Sequence, residues 1–127
     1  MNPALVLAQL LGAVAAAADF PSYAREIYEA DGWQIIRPNS AAGLLMGFYA
    51  DDWHDDSMLA RRGLVVRVVL VRARQPLTGA FTRLRDGLET AGLAVEIDTP
   101  VGPWRNALLR QGYRGLRTKH GEIWRRA

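Results

Sequence analysis

Between Gly63 and Gly92 the chain reads GLVVRVVLVRARQPLTGAFTRLRDGLETAG, the stretch that most limits what it can fold into. Leu64 to Val71 is all Leu and Val except for Arg67. Such a strand is too apolar to be wetted on one side, so both of its faces should be covered. A six-residue turn follows, Gln75-Pro76-Leu77-Thr78-Gly79-Ala80, with Thr78 expected to cap a helix through its hydroxyl. Phe81, Leu84, Leu88 and Ala91 then step by three and four along one helical face, and Gly92 ends the helix. Leu93–Asp98 (LAVEID) is the next strand, closed by Thr99-Pro100. A strand–helix–strand unit is right-handed by default, so these two strands should be parallel. The turn before the helix also has the physics of an anion site, because unpaired N–H groups and the positive end of the helix dipole point into it. The plainer reading is a purely structural unit of the kind most α/β domains contain.

The rest of the chain is read around that unit. Its 127 residues suit one domain. Met1–Ala18 (MNPALVLAQLLGAVAAAA) has the apolar run of a secretion signal but no Lys or Arg ahead of it. It is also shorter than the roughly 20 apolar residues of a membrane span. It reads as a core or interface helix, with Asn2 as cap and Pro3 in the first turn. Asp19–Gly32 is a second helix, with Ser22 as cap, Tyr23 and Ile27 on one face and Gly32 as the stop. Trp33–Arg37 and Gly43–Ala50 are expected as a two-strand hairpin across Pro38-Asn39-Ser40. Pro103 opens a helix bearing Trp104, Ala107, Leu108 and Gln111 on one face, and Gly112 ends it. Tyr113–Leu116 and Glu122–Trp124 form a last hairpin across Lys119-His120-Gly121.

Charge is divided unevenly. Residues 1–60 carry a balance of −6 and residues 61–127 one of +9. An enzyme joining an anionic donor to a cationic amine would want such opposed halves; solvated faces decorated with charge give the same count. Asp51–Asp56 reads DDWHDD, which raises a divalent metal or an acid/base pair, with Asp52 or His54 as the base; loop carboxylates on alternating sides of the chain are the bland explanation. The tail holds Arg105, Arg110, Arg114, Arg117, Lys119, Arg125 and Arg126 around Tyr113 and Trp124, so nucleic acid enters as a partner class, against a solvated arginine face. With no Cys, thiol nucleophiles, disulfides and thiolate metal sites are excluded, which fits a cytoplasmic setting.

Gln75-x-x-Thr78-x-Ala80 after a long strand resembles the pyrophosphate loop of GNAT-type N-acyltransferases, written Gln/Arg-x-x-Gly-x-Gly/Ala. LLRQGYR followed by GEIW resembles that family's later helix, Gly-aromatic pair and final strands. The resemblance covers Gly63 to Trp124 and implies an α+β fold: a central twisted mixed sheet, two N-terminal helices, a cofactor-loop helix, and a C-terminal helix plus hairpin. It implies acetyl-CoA or another acyl-CoA between the strands Leu64–Arg72 and Leu93–Asp98. Backbone at Leu70, Val71 and Arg72 would bond the pantetheine, and Gln75, Thr78, Gly79, Ala80 and Phe81 would hold the pyrophosphate. An amine on a protein or small molecule would attack the thioester directly, with Asp52 or His54 taking its proton. Thr78 stands where the family has Gly, Leu108 where it often has Tyr, and Val101 where it has Asn.

Three functions therefore stand open. The first is an acyltransferase. The second is a non-catalytic interaction or virion-associated protein on the same fold, of the short kind frequent in tailed bacteriophages, meeting a protein partner or a second copy through the apolar first helix or the basic tail. The third is a nucleic-acid-associated protein.

Overall fold

The computed structural model describes residues 23–75, 78–100, 102–118 and 121–126. The helix expected over Met1–Ala18, the Ser22 cap, Val101 and the Lys119-His120 turn lie outside them. The architecture is mixed α and β: an open six-stranded sheet, mostly antiparallel, with helices on both faces.

Residues 23–30 form helix α1, which Gly32 terminates at φ 83°. Its buried face is Ala24 and Tyr28, one residue on from the expected Tyr23 and Ile27; Tyr23 is exposed. Strand β1 (Gln34–Ile36) follows, and then the expected second strand fails to appear. Ala41–Met46 is a helix, α2. Ser40 accepts a hydrogen bond from the Gly43 amide at 3.0 Å and so caps it, while Gly47 closes it in the left-handed region at φ 76°. Two apolar runs of three within GLLMGFYA do not distinguish strand from helix; the caps on either side of the first run do.

The partner of β1 is instead β2 (Met58–Arg62), which the sequence did not signal. β2 runs antiparallel to β3 (Val65–Leu70). β3 is the apolar strand that was expected, shortened at its start because Leu64 lies in the turn and is 68% exposed. Both its faces are covered. Val66 and Val68 enter the main core, and Val65 and Val69 pack with Ala24, Tyr28 and Trp33 on the other side.

Helix α3 (Ala80–Thr90) leads to β4 (Ala94–Asp98), which pairs parallel with β3 from Val65↔Ala94 to Val68↔Ile97. Ala80, Leu84 and Leu88 face the core; Phe81 is half-buried and Ala91 exposed, so the buried stripe starts one residue earlier than the spacing suggested. Helix α4 (Pro103–Arg110) is followed by β5 (Tyr113–Thr118) and β6 (Gly121–Arg126). The hairpin is present, with β6 inserted between β4 and β5, giving the order β1-β2-β3-β4-β6-β5.

The two faces of the sheet differ in chemistry. The face under α2, α3 and α4 is apolar, from Ile36 and Phe48 across to Leu108 and Trp124. The face under α1 has a polar centre. Arg67 donates to Glu96 at 3.0 and 2.7 Å, and Tyr28 donates to Asp98 at 2.6 Å. Burial, and next the Asp98 carboxylate, push the Tyr28 phenol well up. No helix among the described residues is long and apolar enough to cross a membrane.

Candidate functional site

Beyond their four paired residues β3 and β4 part company. At its end β4 turns toward β6: Asp98 pairs with Ile123, and the Thr99 amide donates to the Glu122 carbonyl at 2.8 Å. Thr99 is buried at φ 46°, a left-handed conformation that costs a β-branched residue about 1–3 kcal/mol. Strain of this kind persists only where neighbouring contacts hold it, and here Thr99 Oγ1 also donates to Asp98 at 2.7 Å. The chain leaving β3 goes the other way. Arg72 gives its N–H to Ser57 Oγ at 3.0 Å and its carbonyl to the His54 amide at 2.9 Å. Arg74 donates to the Asp52 carbonyl at 2.9 Å, which makes Trp53 and Ala73 a bridged pair without bonds between them.

That alternation fixes where the backbone is open. Arg72 and Arg74 turn their amides toward the acidic loop, so Val71 and Ala73 turn theirs toward the gap left by β4. Neither has a backbone partner among the described residues. Of the three residues expected to offer backbone to a ligand, only Val71 is without a backbone partner among the described residues; Arg72 is committed to the protein, and Leu70 pairs with Met58.

The gap is a cleft of about 320 Å³. Val71, Gln75, Thr78, Gly79, Ala80 and Phe81 line it, all of them expected at a cofactor site. Trp53 and Trp104 complete the walls and were not foreseen as site residues. Phe81 and Trp104 meet edge to face, with ring centroids 5.3 Å apart. Gln111 closes one end, its side chain accepting from Arg85, which reaches it from the buried face of α3.

The helix start differs from the expected one. Thr78 is not the cap: its hydroxyl donates backwards to the Gln75 carbonyl at 3.0 Å. The cap position is Gly79 at φ 78°, with no side-chain capping bond. Glycine adopts that conformation without strain, so the turn bends one residue later than a Thr cap requires. The first bond of α3 runs from Arg83 N–H to the Gly79 carbonyl at 3.0 Å. The amides of Ala80 and Phe81 ahead of it have no acceptor among the described residues.

Asp52 and His54 flank Trp53 on the loop beside the cleft, but neither lines it. Asp52 lies 3.5 Å from Arg83 Nη2, and Arg83 Nη1 donates to the Thr78 carbonyl at 2.7 Å. Asp55 and Asp56 pair with Arg74 and Arg72 at 3.2 and 3.1 Å. The acidic loop is thus stapled to the arginines around the cleft mouth. No group of three or more metal-ligating side chains occurs among the described residues. No hydrogen bond or ion pair of the His54 imidazole is found among them either.

Much of the basic tail is likewise engaged. Arg105 pairs with Glu122 at 2.9 Å, Arg126 with Glu89 at 2.6 Å and Arg125 with Glu96 at 3.4 Å. Leu108 is wholly buried in the apolar core. None of the described side chains lining the cleft is titratable. No protein-family model matches the chain, and neither does any curated protein or solved structure.

Proposed function

We propose that this chain is a small GNAT-like acyltransferase that takes an acyl-CoA and passes its acyl group to an amine. The observation that carries the reading is the parting of the parallel pair. Among the described residues it leaves Val71 and Ala73 with open backbone groups, in one cleft with a helix start whose amides also lack acceptors there. An extended amide-bearing arm would add to Val71 and Ala73 as a short extra strand. A diphosphate would sit at Gly79–Phe81, where amide hydrogens and the helix dipole favour negative charge. Trp53, Phe81 and Trp104 would cover the arm and exclude water.

A cleft with no titratable side chain among its described lining residues suits a substrate that is already activated. In thioester aminolysis the amine nitrogen forms the new C–N bond, the C–S bond breaks, and the amine's proton goes to solvent or to the departing thiolate. The protein's share is positioning, with His54 as the base for an arriving ammonium, since Asp52 sits on Arg83 at the diphosphate end of the cleft.

The second reading, a non-catalytic binding protein on the same fold, is favoured by one specific observation. Leu108 puts a buried apolar side chain where an acid toward the leaving thiolate would stand.

Titration with coenzyme A and acetyl-CoA, followed by thermal unfolding, separates these readings. A ligand selective for the native state adds about 2.7 kcal/mol of stability at a hundred times its Kd. The enzyme reading expects that shift and release of free thiol when amines are added. A shift without thiol release leaves binding alone. No shift at millimolar coenzyme A removes the enzyme reading and leaves the interaction protein.

A further inference from the structure

Arg83 stands one helical turn inside α3, yet its guanidinium reaches back across the loop that opens the helix. Nη1 donates to the Thr78 carbonyl at 2.7 Å, and a Cβ placed on Gly79 would lie 3.5 Å from the same nitrogen. The other arm, Nη2, faces Asp52 Oδ1 at 3.5 Å. The cation is therefore held against Thr78 and Gly79, two lining residues of the cleft, without lining it itself, and has a carboxylate of the acidic loop as its counter-ion.

We infer that Asp52 is an internal stand-in for the anionic end of the ligand: a diphosphate entering the cleft exchanges with Asp52 on Arg83, so Arg83 reads the diphosphate and Asp52 holds it off until a ligand arrives. This rests on the acyl-CoA reading of the cleft. The Arg83 and Asp52 side chains are 58% and 34% exposed. An ion pair that open to water is weak, and it exchanges readily for a better anion. A diphosphate is such an anion, since it offers more charge and two or more oxygens to the planar guanidinium. The Thr78 carbonyl keeps the guanidinium aimed during the exchange. The neighbouring pairs Arg72–Asp56 and Arg74–Asp55 anchor the rest of the loop, so the release of Asp52 does not require the loop to leave.

The test is calorimetric titration of the full chain at low salt with coenzyme A, and with pantetheine as the ligand that lacks a diphosphate. Four proteins are compared: the natural chain, Asp52→Asn, Arg83→Gln, and the double variant. Urea midpoints verify that each is folded. Removing the competing carboxylate should tighten coenzyme A about threefold to fivefold, in line with an exposed pair. Arg83→Gln should weaken it about tenfold, the loss of a charge-assisted contact. In the Arg83→Gln background, Asp52→Asn should give no gain, and pantetheine should be indifferent to both changes. The inference is overturned if Asp52→Asn leaves coenzyme A binding unchanged or weaker, or if its gain persists without Arg83. In those outcomes coenzyme A still binds and the acyl-CoA reading stands. If no variant binds coenzyme A, both fall together.

Discussion

Two ion pairs, Arg67–Glu96 and Arg83–Asp52, join arginine to a carboxylate in very different surroundings. The first lies between adjacent parallel strands under α1, with both side chains about one-tenth exposed and contacts at 3.0 and 2.7 Å. Trp33 covers it, the Arg67 guanidinium sitting 4.4 Å from the ring centroid. The second lies at the mouth of the cleft, half in water, with a single contact at 3.5 Å. A buried pair has nowhere to go, because either partner left alone is an uncompensated charge. An exposed pair costs little to open. One face of the molecule uses charge to fix two strands in register; the other keeps charge where it is exchanged at low cost. Between them stands Arg105–Glu122, at 2.9 Å and partly exposed, with Trp124 as a further donor to the same carboxylate.

Breaking the buried pair should have the largest effect. Glu96→Ala strands Arg67 and should remove about 3 kcal/mol of stability, read from urea unfolding. Replacing both partners, Arg67→Met with Glu96→Leu, should recover most of that loss. If it does not, the pair contributes through its contacts to Tyr28 and Trp33 rather than through charge.

Glu122→Gln should cost less, about 1–2 kcal/mol at neutral pH. The hydrogen bond from Trp124, and then the Arg105 charge, hold the Glu122 carboxyl below its ordinary value of 4.5. A depressed value in the folded state means the stabilisation is complete above 4.5 and disappears as the pH falls through the lower, folded value. Urea midpoints taken from pH 6 to pH 2 should show an acid limb that Glu122→Gln flattens.

Gly79→Ala should cost about 1 kcal/mol, because alanine is strained at φ 78°. It should also weaken coenzyme A by disturbing the turn beneath Arg83. Asp52→Asn should change stability by less than about 0.5 kcal/mol. A large loss there would move Arg83–Asp52 into the class of Arg67–Glu96 and end the distinction between them.

What the sequence revealed follows the same division between local and distant causes. The unit from β3 through α3 to β4 was legible because its signals are local: a Val/Leu run, a turn with Gly, a 3.6-residue stripe and a final Gly. The parallel pairing followed from handedness. GLLMGFYA was misread because its helix is set by the Ser40 cap and the Gly47 stop, not by periodicity. β2 gave no signal, since Ala60, Arg61 and Arg62 break any alternation and only its neighbours β1 and β3 make it a strand. At the cleft, the lining from Val71 to Phe81 was readable as one continuous motif. Trp53 and Trp104 were not, because they come from loop and helix far apart in the chain and meet only in the folded core. The pairing of the acidic loop with Arg72, Arg74 and Arg83 is also a long-range event, invisible in a string that shows DDWHDD alone.

The cleft beyond the end of β3, with the start of α3 in its wall, is proposed to bind a diphosphate-bearing thioester. Amide chemical shifts of the isotope-labelled chain, followed during titration with coenzyme A, test it residue by residue. The account predicts saturable shifts at Val71, Ala73 and Gly79–Phe81, with little change along β1 or β5. No shift at millimolar coenzyme A, or shifts gathered instead at Arg114 and Arg117 on the outer strand, would contradict it.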